Sequence, residues 1–79
     1  MAYLAVNKDG TEVRFDGKIA PFKFSNGKWY QPSDKPSDKT ENIDGRGICL
    51  AYEGKTQPFG TIIALTGQKL TWNDEPIKI

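Results

Sequence analysis

The chain has no histidine and one cysteine among its 79 residues. Without imidazole it lacks the commonest general base near neutral pH and the commonest metal ligand, so acid–base, triad and zinc chemistry start without their usual parts. Cys49 cannot form an internal disulfide, and with no histidine to activate it, it reads as a small buried thiol and not a nucleophile. No apolar run is long enough for a signal-peptide core or a membrane span, so a reducing, cytoplasmic location and no membrane partner are expected. Excess charge of one sign is missing too: 11 Lys and Arg against 10 Asp and Glu leave +1, which gives no support to capture of nucleic acid or membrane by bulk charge. Asp34 and Asp38 have the wrong spacing for a calcium loop. Gly45-Arg46-Gly47 and Gly54-Lys55-Thr56 lack the glycine pattern and the following long helix of a phosphate loop. These absences lead us to expect no metal, no cofactor and no enzymatic activity.

What is present is strand alternation punctuated by turn residues. A chain of this length makes one domain, 1–79, whose folding removes only about 60 percent of the unfolded surface, so its core is thin and a second copy would help it. Tyr3 to Phe15 reads as two runs joined at Asp9-Gly10. A two-residue turn there pairs Val6 with Val13 and Leu4 with Phe15, placing all four on one apolar face. Asn26-Gly27 gives a second hairpin, with Phe24 opposite Trp29 and Lys23 opposite Tyr30; Phe22, Phe24 and Trp29 then face the core, and Lys23 and Tyr30 face away. Pro32 to Gly47 is polar, with Ile43 as its only large aliphatic residue, and reads as a long polar loop at 32–47.

Further on, Ile48, Leu50 and Tyr52 alternate with the small Cys49 and Ala51. Thr61 to Thr66 is the one stretch that suits a helix, with Thr61 as cap, Ile62 and Leu65 on one side, and Gly67 closing the turn, although Ile62-Ile63 also suits a strand. The chain is therefore expected to be a small α+β domain, mostly antiparallel β, with strands near 3–8, 11–15, 21–25, 28–31, 48–52, 69–72 and 77–79 and a short helix near 61–66. Leu4, Val6, Val13, Phe15, Phe22, Phe24, Trp29, Ile48, Leu50, Ile62, Leu65, Leu70, Trp72 and Ile77 form the expected core.

The opening Met1-Ala2-Tyr3-Leu4-Ala5-Val6 with Lys8-Asp9-Gly10-Thr11-Glu12, and the closing Gly60-Thr61-Ile62 with Leu65, Gly67 and Leu70-Thr71-Trp72-Asn73-Asp74-Glu75-Pro76, resemble small uncharacterised proteins of phages and prophages of gut bacteria. The resemblance is confined to the two ends and leaves residues 32–58 uncovered. It implies a phage-type accessory protein acting in the cytoplasm of a bacterial host, and it brings no site residues with it.

The remaining readings concern binding. Lysines interleaved with rings over Lys18, Phe22, Lys23, Phe24, Lys28, Trp29 and Tyr30 are the pattern by which a module stacks single-stranded nucleic acid, but rings committed to the core cannot stack on bases. The reading preferred here is a protein partner, held by a face carrying Tyr3, Tyr30 and Tyr52 with Lys23 and Lys28, together with Arg46 from the polar loop. In a phage setting that partner is a host protein, such as a defence component to be inhibited. A small ligand held between subunits of an oligomer is the third class.

Overall fold

The computed structural model describes residues 1–33, 39–40 and 49–79, with residues 39, 40 and 49 described by their backbone alone. The chain is a small α+β domain, which among the described residues consists of antiparallel strands and one short helix. Its elements are β1 (Ala2–Val6), β2 (Glu12–Asp16), β3 (Phe22–Lys23), β4 (Trp29–Pro32), β5 (Lys39–Thr40), β6 (Cys49–Tyr52), β7 (Lys55–Gln57), α1 (Thr61–Thr66) and β8 (Ile77–Lys78). One sheet has the order β7-β2-β1-β8 and the other β3-β4-β6-β5.

Both hairpins form where the turn residues place them, and both differ from the expected register by one residue. Tyr3 lies opposite Phe15, Ala5 opposite Val13 and Val6 opposite Glu12. The loop has three residues: the Asn7 amide donates to the Thr11 carbonyl, the Gly10 amide donates to the Asn7 carbonyl, and Gly10 takes a left-handed φ of 91°. The second hairpin repeats the device. Phe24 donates to the Lys28 carbonyl, Gly27 donates to the Phe24 carbonyl with φ 88°, and Phe22 lies opposite Tyr30. In each loop the Asx side chain accepts from the amide two residues on, Asp9 from Thr11 and Asn26 from Lys28. A three-residue loop with a left-handed glycine suits Asp-Gly and Asn-Gly as well as a two-residue turn does.

A one-residue slip moves each side chain to the other face. Leu4 and Val6 are therefore not on the face of Val13 and Phe15. Ala5, Val13 and Phe15 face the second sheet, packing with buried Trp29 and half-buried Tyr3, Tyr52 and Trp72. Leu4 and Val6 face the helix, packing with Ile62 and half-buried Leu70. β1 is buried on both faces, each large aliphatic or aromatic side chain contributing about 1.5–3 kcal/mol through its removal from water. In the second sheet, Phe24, Tyr30 and Ala51 form a further cluster with half-buried Phe22, so Tyr30 is buried, contrary to expectation; on β6, Ala51 joins this cluster, Tyr52 packs on the cluster between the sheets, and Leu50 is exposed.

Other expectations change with the helix and its surroundings. Leu65 is exposed, because a six-residue helix lying against one sheet buries Ile62 alone. Thr61 is not its cap: Gly60 occupies that position, and Thr61 Oγ1 donates to the Pro58 carbonyl. Gly67 closes the helix as expected, its amide donating to the Ile63 carbonyl. Residues 69–72 are not a strand. Asp74 draws them into a turn, its Oδ2 accepting from the Thr71 amide at 2.8 Å. Lys55–Gln57, not among the expected strands, pairs with β2. Lys39–Thr40, within the expected loop at 32–47, pairs with β6; the rest of that loop from 34, with Arg46, and Ile48 of the expected core, lie outside the described residues. Ile77 is half-buried, and β8 docks on β1, with Ala2 and Ile79 exchanging backbone bonds.

The two sheets are tied at polar points. Asn7 Oδ1 accepts from the Trp29 amide and the Val6 carbonyl accepts from Trp29 Nε1, both at 2.9 Å. The Lys8 amide donates to the Gly27 carbonyl, joining the hairpin tips. Beside them, the Tyr30 hydroxyl accepts from Asn26 Nδ2 and donates to Glu53 Oε1, which also receives Lys28 Nζ at 3.0 Å.

Burial holds the Tyr30 phenol above its ordinary value near 10, and Glu53 adds to this while the Asn26 bond opposes it. As pH rises, the unfolded chain releases this proton first, so stability fully present below about pH 10 is lost above it. Lys28, raised chiefly by its hydrogen bond to Glu53, acts in the same direction at slightly higher pH. We expect the urea midpoint to fall from pH 10 upward and Tyr30→Phe to flatten that fall; an equal slope in the variant would contradict the assignment.

Candidate protein-binding groove

The helix is held on the sheet by a residue far from it in sequence. Glu12 is buried beside Val6 on the helix-facing side of β2. Its two carboxylate oxygens accept from the Gly60 amide at 2.6 Å and the Ile62 amide at 2.7 Å. First-turn amides of a helix have no partner within it, so a carboxylate supplied by the sheet replaces the missing side-chain cap. The next turn back is fixed as well, since the Thr61 amide and hydroxyl both donate to the Pro58 carbonyl, at 3.1 and 2.6 Å.

Between these two anchorages the chain projects Phe59, which is 96% exposed. Ile63, half a turn along the helix, is 50% exposed. Both border a groove of about 600 Å³ between the tip of the first hairpin, the helix and residues 68–73. Its apolar lining comes from Val6, Phe59, Ile62, Ile63, Leu70 and Trp72. The far wall is also braced: the turn at Thr71–Asp74 sets Trp72 edge-on against Trp29, ring centres 5.8 Å apart, and Lys23 Nζ lies 4.5 Å from the Trp72 ring centre. Lys8 and Lys69 line the groove as well, and neither makes an ion pair among the described residues.

The residues selected from sequence do not converge. Tyr3 and Tyr52 are half-buried between the sheets, Tyr52 meeting Phe15 edge-on at 6.1 Å. Tyr30 is 2% exposed in the cluster on the opposite face of the second sheet, so a shared tyrosine face does not form. Lys23 covers the tryptophan pair, Lys28 is paired with Glu53, and Arg46 lies outside the described residues. Trp29 is 3% exposed and Phe24 is buried, so these rings and Tyr30 offer bases no stacking platform.

Sequence reasoning missed Phe59 and Ile63. Pro58-Phe59-Gly60 was legible as a turn, and an aromatic residue between proline and glycine at a turn has no strand neighbour to cover it. Adjacent Ile62 and Ile63 point about 100° apart on a helix, so one of them had to leave the core.

Among the described residues, no three His, Cys, Asp or Glu side chains converge to hold a metal ion, and no helix is long and apolar enough to cross a membrane. Comparison with protein-family models, curated proteins and solved structures finds no match to this chain.

Proposed function

We propose that this chain acts by non-catalytic binding of a protein partner, with Phe59 as the anchor and the adjoining groove as the receiving surface. The observation that carries the reading is the 96% exposure of Phe59 on backbone fixed by Glu12 and Pro58. A large ring left in water on a flexible loop has little consequence. Held in place, it presents an aromatic anchor with little ordering entropy still to be lost on binding. The phage-type setting implied by the resemblance of the chain's two ends makes the partner a protein of the bacterial host, met in its cytoplasm. Occupying that protein, as an inhibitor of a defence component does, requires no turnover chemistry.

The test is affinity capture from lysate of the native host, run in parallel with wild type and Phe59→Ser. Burying a phenylalanine side chain is worth about 1.5–3 kcal/mol, so the variant should bind the captured protein at least about tenfold more weakly. Its own stability should stay within about 0.5 kcal/mol of wild type, because the ring makes no core contact. Identical captured sets from the two proteins would reject the reading. So would the absence of any wild-type-specific partner alongside tight, salt-dependent oligonucleotide binding.

A further inference from the structure

We infer that the groove's occupant is a peptide segment of the partner in which apolar side chains are flanked by carboxylates. The inference rests on the protein-binding reading above and adds the chemistry of what is bound. Its basis is the charge of the lining. Lys8 and Lys69 both border the groove without an ionic partner among the described residues. The one acidic residue among the described lining residues, Glu12, is buried and committed to the Gly60 and Ile62 amides. Asp9 and Asp74, neighbours of the lining, turn back on the backbone amides of Thr11 and Thr71. The groove therefore presents an apolar floor with two unmatched ammonium groups at its borders. A segment with leucine- or phenylalanine-like side chains between Asp or Glu residues complements both features.

The charge pattern disfavours a second copy of the chain, and the packing of the rings disfavours a nucleic acid strand. A symmetric pair of copies docked through this groove would face two lysine-bordered surfaces against each other, with no free carboxylate among the described lining residues to offset them. A nucleic acid strand would find two lysines and, besides Phe59, a tryptophan whose ring already carries Lys23 at 4.5 Å and Trp29 at its side.

The experiment is selection of a displayed random twelve-residue peptide library on the folded full chain, with Phe59→Ser as the counter-target. Enriched peptides are then synthesised and titrated against wild type and the Lys8→Glu, Lys69→Glu double variant. Both lysines are exposed, and an unchanged melting curve certifies the variant. The expected result is a set of peptides dependent on Phe59 and rich in apolar residues with excess Asp and Glu. They should bind the double variant about tenfold more weakly and lose affinity with added salt. Phe59-dependent peptides that are neutral or basic, or that bind the double variant equally well, would overturn the inference and leave the protein-binding reading standing. Absence of any Phe59-dependent peptide, together with self-association of the wild type through Phe59 or binding of oligothymidylate in the groove, would overturn both.

Discussion

Gly54→Ala is expected to remove about 3–4 kcal/mol of stability, a large share of the roughly 4–12 kcal/mol available to a chain of this size. Gly54 stands where the chain leaves β6 in one sheet for β7 in the other, with φ 81°. A left-handed non-glycine residue costs on the order of 1–2 kcal/mol through crowding of its own backbone. At Gly54 an added Cβ would also lie 2.9 Å from Phe15 Cζ, 3.0 Å from its Cε1 and 3.1 Å from the Arg14 carbonyl oxygen. Phe15 is fully buried between the sheets and has no space into which to yield, so overpacking adds about 1–3 kcal/mol. Gly17→Ala is the control. Gly17 has φ 103° and nothing within 4 Å of an added Cβ, so it should show the backbone penalty alone. Urea denaturation of the two variants separates the contributions, and equal losses would mean that the approach of Gly54 to Phe15 does not constrain the fold.

Glu12→Ala is expected to lower stability by about 3 kcal/mol. The substitution deletes two hydrogen bonds to a charged acceptor, each worth about 1.5–3 kcal/mol, and leaves the buried Ile62 amide without its partner; water reaching Gly60 offsets part of the loss. Glu12→Gln should fall between, since its amide offers one acceptor oxygen where the carboxylate offers two. The effect is also local. Hydrogen exchange at the Gly60 and Ile62 amides should accelerate in Glu12→Ala more than exchange in the β1–β2 ladder, because the turn that projects Phe59 has lost its attachment to the sheet. Lys55→Ala, which breaks an exposed pair with Asp16, should change stability by at most about 1 kcal/mol. Uniform acceleration across the domain in Glu12→Ala would show that this carboxylate supports the fold in general and has no particular hold on the helix.

The architecture was legible where local chemistry determines it. Asp9-Gly10 and Asn26-Gly27 marked both hairpins, Gly67 marked the helix end, and β8 docks as its alternation suggested. Register was not legible, for one reason in both hairpins: the Asx side chain and the left-handed glycine satisfy a three-residue loop as readily as a two-residue turn. Hydrophobic alternation normally decides between them, but β1 is buried on both faces and either register covers apolar side chains. Tyr30 and Ala51 follow from that slip and from the unforeseen pairing of β4 with β6. The groove was hidden for a different reason. It depends on Glu12 reaching residues 48 and 50 positions away, and nothing local to Glu12 distinguishes it from a solvated strand carboxylate.

The most direct measurement is an amide chemical-shift map of the isotope-labelled chain titrated with the captured partner or a selected peptide. If Phe59 and the groove form the binding surface, the largest changes should fall on Lys8 to Gly10, Phe59 to Ile63 and Lys69 to Asn73, with β3 and β4 nearly still. Changes concentrated on Lys23, Lys28 and the strands around Tyr30, with residues 59–63 unmoved, would contradict it.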